Sequence, residues 1–278
     1  MGQTAARQHP IRPEEVIKRC DLYYEVLGEG VPILLIHPSG ATASTWGSAS
    51  EELARIGLVI AYDRRGNARS GGEPVRSMSV HTADAAALLE HLRKPPAVVV
   101  GTSAGAAIAV DLAVRRPDLV QVVIAHEFPW RFTRHLPTAA QLGALARVGS
   151  LALRGRHGDA VEVLLRTTYT YPDGGSAWDA FPEGWRRVAR ENARAALADF
   201  RNSIVAYPSA ADLATITVPI VCSYGSRSPG NMVGLVRSLA AAIPTATTRR
   251  IEGAGHAAPF DATTNFVDLI AESMRREP

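Results

Sequence analysis

Val98-Val99-Val100-Gly101-Thr102-Ser103-Ala104-Gly105 decides how this chain reads. An apolar run leads into Gly-x-Ser-x-Gly, and a helix-forming run, Ala106 to Val114, leads out. A strand entering and a helix leaving this pattern make a nucleophile elbow, a tight turn that lifts one serine hydroxyl off the end of a sheet. The serine of such a turn sits in strained backbone, so residues two positions to either side must be small. Gly101 and Gly105 meet that demand, and Ala104 leaves the turn uncrowded. Ser103 is therefore the candidate nucleophile. The plainer alternative is a helix N-cap serine whose hydroxyl only satisfies an amide.

Around this stretch, short apolar strands alternate with helical patterns. Leu22 to Val26, Pro32 to His37, Leu58 to Tyr62, Ala97 to Thr102 and Leu119 to Ala125 read as strands. Thr45 to Arg55 and Val80 to Leu92 read as helices. That rhythm implies right-handed crossovers and a mostly parallel sheet covered on both faces. It breaks after His126-Glu127-Phe128. Thr138 to Arg156, Asp159 to Thr168 and Glu183 to Tyr207 are helical without a buried strand between them, and aromatic residues gather there. Strands and helices resume with Val218 to Tyr224, Asn231 to Ala242, Thr247 to Ile251 and Thr263 to Met274. The expected organisation is an α/β core of residues 1–129 and 213–278, interrupted by a helical cap at 130–212.

The 278 residues suffice for one large core with an insertion, and 46% hydrophobic against 21% charged residues is ordinary for a globular protein. A formal charge of +3, with scattered arginines, gives no reason to expect nucleic-acid binding. No run of some 18 apolar residues predicts a membrane span. The opening MGQTAARQHP has no apolar signal core, and Ala6 argues against myristoylation, so the default expectation is a cytoplasmic location. Cys20 and Cys222 sit in apolar surroundings and read as reduced thiols without metal-ligand spacing. No metal or organic cofactor is expected, and the sequence is compatible with a homodimer.

A serine needs a base. His256, in Glu252-Gly253-Ala254-Gly255-His256, follows the last strand on a loop whose glycines can carry the ring over the elbow. The base needs an acid. The loop after Ile220 to Tyr224, where an Asp is most common, reads Gly225-Ser226-Arg227-Ser228-Pro229 and offers a hydroxyl instead. Glu127 directly follows the strand ending at Ala125, and parallel strands open their C-terminal ends onto one rim. Glu127 is therefore the expected acid, against the alternative of a salt bridge, for instance with Arg131. Asp261 and Asp212 are weaker candidates. For the oxyanion, the amide of Ala104 and one from His37-Pro38-Ser39-Gly40 are expected; Ser39 is chosen because Pro38 has no N–H. Trp185, Phe128, Trp130, Tyr207 and Phe260 are the candidate substrate-binding aromatics.

Taken together, His37-Pro38-Ser39-Gly40, Asp63-Arg64-Arg65-Gly66-Asn67-Ala68-Arg69-Ser70, Gly101 to Gly105 and Gly253-Ala254-Gly255-His256 resemble the α/β-hydrolase superfamily. The resemblance implies an eight-stranded, mostly parallel sheet with a helical cap after strand six. Ala125-His126-Glu127-Phe128-Pro129 is similar to the segment that supplies the acid in zearalenone-type lactonases. That implies a Ser103–His256–Glu127 triad, with Trp185 lining the pocket, acting on a hydrophobic, ring-bearing ester or lactone. A cofactor-free oxygenase using the His–acid pair, or a ligand receptor on the same fold, are the alternatives.

Overall fold

Val98, Val99 and Val100 are completely buried, and their side chains divide between two apolar layers. Val99 joins the layer containing Leu34, Ile36 and Val123; Val98 and Val100 join the layer containing Ile33, Leu35 and Ile124. A strand apolar on both faces is thus the centre of a sheet covered on both sides. The computed structural model describes residues 21–75, 77–94, 96–130, 138–203 and 207–275. Its strands are β1 (Tyr24–Leu27), β2 (Pro32–Ile36), β3 (Leu58–Tyr62), β4 (Ala97–Thr102), β5 (Val120–His126), β6 (Ile220–Gly225) and β7 (Ala246–Ile251). They form one sheet in the order β1-β3-β2-β4-β5-β6-β7. Only the β1–β3 pairing is antiparallel. The sheet therefore has seven strands among the described residues, not the eight implied by the resemblance; residues 1–20, including Cys20, lie outside them. Strand six of that eight-stranded count corresponds to β5 here.

Two expected helices are divided. Thr45 to Arg55 becomes a 3-10 turn at Ala43–Trp46 and a helix at Ser48–Leu53, parted by Gly47 at φ 50°. Glu183 to Tyr207 becomes Glu183–Glu191 and Ala193–Ser203, parted at Asn192. There the asparagine amide oxygen accepts the Ala68 N–H at 2.8 Å, which ties the insertion to the loop after β3.

Between β5 and β6 the chain runs through helices, the longest being Ala139–Leu153, His157–Thr168 and Ala193–Ser203. Their apolar faces make a third cluster, including Val161, Leu164, Trp178 and Ala196, which meets the sheet domain through Ala257 beside His256. These inserted helices lie over the rim where β4, β5 and β7 end, and side chains from both meet in one cavity.

Candidate active site

Ser103 stands between β4 and the helix Ala104–Arg115 with φ 52° and ψ −118°, a conformation an L-residue rarely adopts. Side chains cannot be tolerated at the flanking glycines. A Cβ on Gly101 would strike the Gly105 backbone, and one on Gly105 would strike the Ile36 carbonyl of the neighbouring strand. The Ser103 N–H donates to the His126 carbonyl at 2.9 Å, which fixes the elbow to the end of β5. Ala104 opens the following helix, where first-turn amides have no intrahelical acceptor and the positive end of the helix dipole lies.

Glu127 follows β5 directly, is fully buried, and also has positive φ, 48°. Its N–H donates to the Ser223 carbonyl at 3.0 Å, which turns the side chain onto the rim. Oε2 accepts from His256 Nδ1 at 2.7 Å, so Nε2 is the ring nitrogen left to exchange a proton. Oε1 accepts the Gly225 N–H at 3.1 Å and the Ser228 hydroxyl. Burial pushes the Glu127 carboxyl up, but the hydrogen bond from His256, the neighbouring His126 and the Ser228 hydroxyl together outweigh it and hold the group down at about 2. Ser228, in the loop after β6, thus donates to the carboxylate that also holds His256.

The His256 loop is braced from two sides. His126 Nε2 lies 3.0 Å from the Gly255 carbonyl and Nδ1 lies 3.1 Å from the Ser223 hydroxyl. Donation to the carbonyl leaves Nδ1 to accept, and burial keeps this ring's pKa low. On the other side Asp261 accepts the Gly255 N–H at 2.9 Å and the Tyr171 hydroxyl at 2.6 Å. The alternative acid Asp261 is thereby committed to the loop backbone and the inserted segment. Asp212 caps its own short helix by accepting from Ser209. The expected partner of the competing salt bridge, Arg131, lies outside the described residues.

Ser39 and Ala104 line the same cavity as Ser103, Glu127 and His256. The Ser39 hydroxyl donates to Asp199 at 2.9 Å, and Asp199 pairs with Arg64 through bonds of 3.2 and 2.6 Å. Both charged side chains are buried, and Asp199 comes from the inserted helix Ala193–Ser203. Burial raises the Asp199 carboxyl, but the Arg64 charge and hydrogen bonds, with His81 and the Ser39 hydroxyl, together outweigh it and hold the group low. His37 Nε2 accepts the Arg64 N–H at 3.0 Å, so its Nδ1–H donates to the Pro38 carbonyl at 2.8 Å. Burial first, then the Arg64 charge, pushes both His37 and His81 down to about 3.

The five candidate substrate-binding aromatics separate into two groups. Trp185 and Phe260 line a chamber that adjoins His256. Phe128, Trp130 and Tyr207 are on the wall of neither chamber. Phe128 and Trp130 pack into the apolar layer beneath the rim, and the Trp130 indole donates to the Pro208 carbonyl at 2.8 Å. Tyr207 packs against the same layer beside Arg115. The positive-φ turn at Glu127 sends the acid to the rim while the apolar side chains after it seek the core. Asp199, Ser228 and Tyr169, whose ring lies 5.3 Å from that of His256, belong to the site without having been singled out for it. Ser228 alone left a trace in the sequence, as the missing acid. Among the described residues no group of three or more His, Cys, Asp or Glu side chains is placed to hold a metal ion, and no helix is long and apolar enough to cross a membrane.

Comparison with known proteins places this geometry in a family. The chain is 26% identical over 263 residues to a pimeloyl-[acyl-carrier protein] methyl ester esterase of Chromobacterium violaceum, covering 92% of this chain and 99% of that one. A shorter segment of 110 residues is 39% identical to the uncharacterized hydrolase YraK of Bacillus subtilis, covering 38% of this chain and 41% of YraK. A zearalenone hydrolase of Bionectria ochroleuca is 29% identical over 126 residues, 43% of this chain and 48% of that protein. The last two matches thus span less than half of those relatives. The structure of a thermophilic esterase from Thermogutta terrifontis superposes with a TM-score of 0.73 at 24% identity, covering 92% of this chain and 93% of that one, and shows the shared fold. The model of the alpha/beta hydrolase family matches residues 33–269, and the chain belongs to that family.

Proposed function

We propose that this hydrolase cleaves a carboxylic ester or lactone through Ser103, His256 and Glu127. The observation that carries the reading is the bond from His256 Nδ1 to a buried, ionised Glu127, on a ring that shares its cavity with Ser103. In the proposed cycle His256 Nε2 takes the Ser103 proton as Oγ attacks the carbonyl carbon. The amides of Ala104 and Ser39 hold the resulting oxyanion, and Glu127 stabilises the imidazolium. His256 returns the proton to the departing alcohol. Water, activated by the same ring, then releases the acid from Ser103.

The cavity favours a hydrophobic substrate: Leu145, Val148, Leu164 and Leu235 are on its wall. Trp185, Phe181 and Phe260 beside it suit a ring-bearing one, as the likeness to zearalenone hydrolase also suggests. The test is turnover and labelling. An alkyl fluorophosphonate should modify Ser103, and Ser103→Ala should lose both the label and about a million-fold in kcat while keeping its fold. Ester turnover surviving in Ser103→Ala refutes the reading.

A further inference from the structure

Gly255 directly precedes the base and has no side chain to hold it, so hydrogen bonds must place it. Its carbonyl accepts from His126 Nε2 at 3.0 Å, an anchor at the end of β5. Its N–H donates to Asp261 Oδ2 at 2.9 Å. Asp261 in turn accepts the Tyr171 hydroxyl on Oδ1 at 2.6 Å. The first anchor belongs to the sheet. The second, through one carboxylate, belongs to the insertion.

Tyr171 lies in a tight turn between the helices His157–Thr168 and Ala177–Ala180. A bridge between Thr170 and Ser176 closes that turn, and the Tyr171 N–H donates to the Gly175 carbonyl at 2.7 Å. The ring lies against Gly255: a Cβ there would stand 2.6 Å from Tyr171 Cε1, so glycine is what lets the ring approach. The Arg227 guanidinium covers the ring, 3.6 Å from its centroid, and pairs with Asp173 of the same turn at 3.3 Å. The Arg227 N–H donates to the Ala254 carbonyl at 2.8 Å, and the next residue, Ser228, donates to Glu127. One side chain of the insertion is thus gripped between the loop that carries the base and the loop that hydrogen-bonds the acid. Tyr171, Asp261 and Arg227 are on the wall of neither chamber, so contact with substrate is not their role. Two residues earlier, Tyr169 is on the wall of both, with its ring 5.3 Å from that of His256. The stretch that lines the cavity and the stretch that fixes the base are therefore one continuous piece of chain.

Building on the ester-hydrolase reading, we propose that Tyr171 is a positioning residue for the reaction. Its hydroxyl fixes the Asp261 carboxylate, the carboxylate fixes the Gly255 amide, and the imidazole that follows is set where Nε2 takes the Ser103 proton. Seating of the insertion on the sheet domain then completes the active site as well as enclosing it. Without the hydroxyl, Asp261 is free to turn away, and Gly255 is held through its carbonyl alone. A reacting group displaced by about 1 Å loses on the order of a hundred-fold in rate.

Tyr171→Phe keeps the ring against Gly255 and under Arg227 and removes only the hydroxyl. With 4-nitrophenyl butanoate it should lower kcat about ten- to a hundred-fold while KM changes less than about twofold. The rate at which a small alkyl fluorophosphonate labels Ser103 should fall by the same factor, because labelling needs the same proton transfer and no substrate in the cavity. Asp261→Ala should lose at least as much, and the double variant no more than Asp261→Ala alone, because the hydroxyl acts only through the carboxylate. Melting curves set a temperature at which every variant is folded. Wild-type kcat and labelling rate in Tyr171→Phe overturn the proposal. So does a rise in KM at unchanged kcat, which would limit Tyr171 to enclosing substrate, and so do losses that multiply in the double variant. If the wild-type protein is neither labelled at Ser103 nor active on the ester, the ester-hydrolase reading falls and this proposal with it. Labelling of wild type and Tyr171→Phe at one rate defeats this proposal alone.

Discussion

Two buried carboxylates face the same cavity from different parts of the chain. Glu127 comes from the end of a strand in the sheet; Asp199 comes from a helix in the insertion. Each is held ionised, and each is hydrogen-bonded to a serine and to a nitrogen donor. The partner makes the difference. Glu127 is bonded to an imidazole, whose second nitrogen can relay a proton. Asp199 is bonded to the Arg64 guanidinium, which offers N–H donors only. The first pair can turn over a proton; the second can only hold position, and it holds the Ser39 loop and the inserted helix against the sheet. Burial and charge alone do not identify a catalytic acid.

The comparison breaks most sharply at Glu127. Glu127→Gln should lower kcat by about ten-thousand-fold with a small change in KM, because the imidazolium loses its countercharge while the buried hydrogen-bonding shape is kept. Steady-state kinetics beside a denaturation curve checks this. A large loss on Asp261→Asn with Glu127→Gln fully active would reverse the assignment.

Asp199→Ala should do the opposite: it should cost stability before chemistry. Removing one partner of a buried ion pair leaves the Arg64 guanidinium uncompensated, at about 3–5 kcal/mol. Urea unfolding should show the free energy of unfolding, extrapolated to water, fall by that amount. A variant of wild-type stability would show that Asp199 does not anchor the insertion.

Ser228→Ala should have an intermediate effect on the Glu127 side. A hydrogen bond to a charged group contributes about 1.5–3 kcal/mol, so kcat should fall by roughly ten- to a hundred-fold. Ser228→Thr, which keeps the hydroxyl, should recover part of the loss. Equal activity of Ser228→Ala and wild type would remove Ser228 from the site.

The most gradual effect is a slope with pH. His37 and His81 around Arg64 are held down to about 3, against an unfolded value of about 6.5. Their neutral forms are the native ones, so the stability they contribute is complete above pH 6.5 and is lost as pH falls toward 3. Each adds up to about 1.4 kcal/mol per pH unit across that window. Glu127, held down at about 2, keeps its contribution until the pH drops below the ordinary carboxylate range near 4.3, and loses it from there toward 2. Urea midpoints measured from pH 7 to 4 should therefore decline first through the Arg64 side. His81→Gln should flatten that slope, and an unchanged slope would show that His81 does not titrate on unfolding.

The local parts of this molecule are legible from its residues, because each rests on a short-range steric or periodic rule. β3 and β4 have the expected ends, since each is built on a short apolar run bounded by turn-forming residues. Ser103 is marked by the two glycines that its turn demands. Ser228 can be recognised as a residue that is not an acid, and Glu127 as a carboxylate following an adjacent strand. The aromatics show the limit of such reading. Phe128 and Trp130 are near the rim in sequence but belong to the core, because side-chain direction after a positive-φ turn follows from packing and not from proximity.

By itself the sequence determined the alternation of strand and helix, the elbow and the order of the polar groups along the rim, because hydrophobic period and glycine sterics act within a few residues. Tertiary structure alone decided that Ser228 donates to Glu127, that Asp199 crosses from an inserted helix to Arg64 and Ser39, and that two chambers of unlike lining meet at His256. Those contacts join residues as many as 160 positions apart. Which partner a buried charge finds depends on how whole elements pack, and no local pattern encodes that.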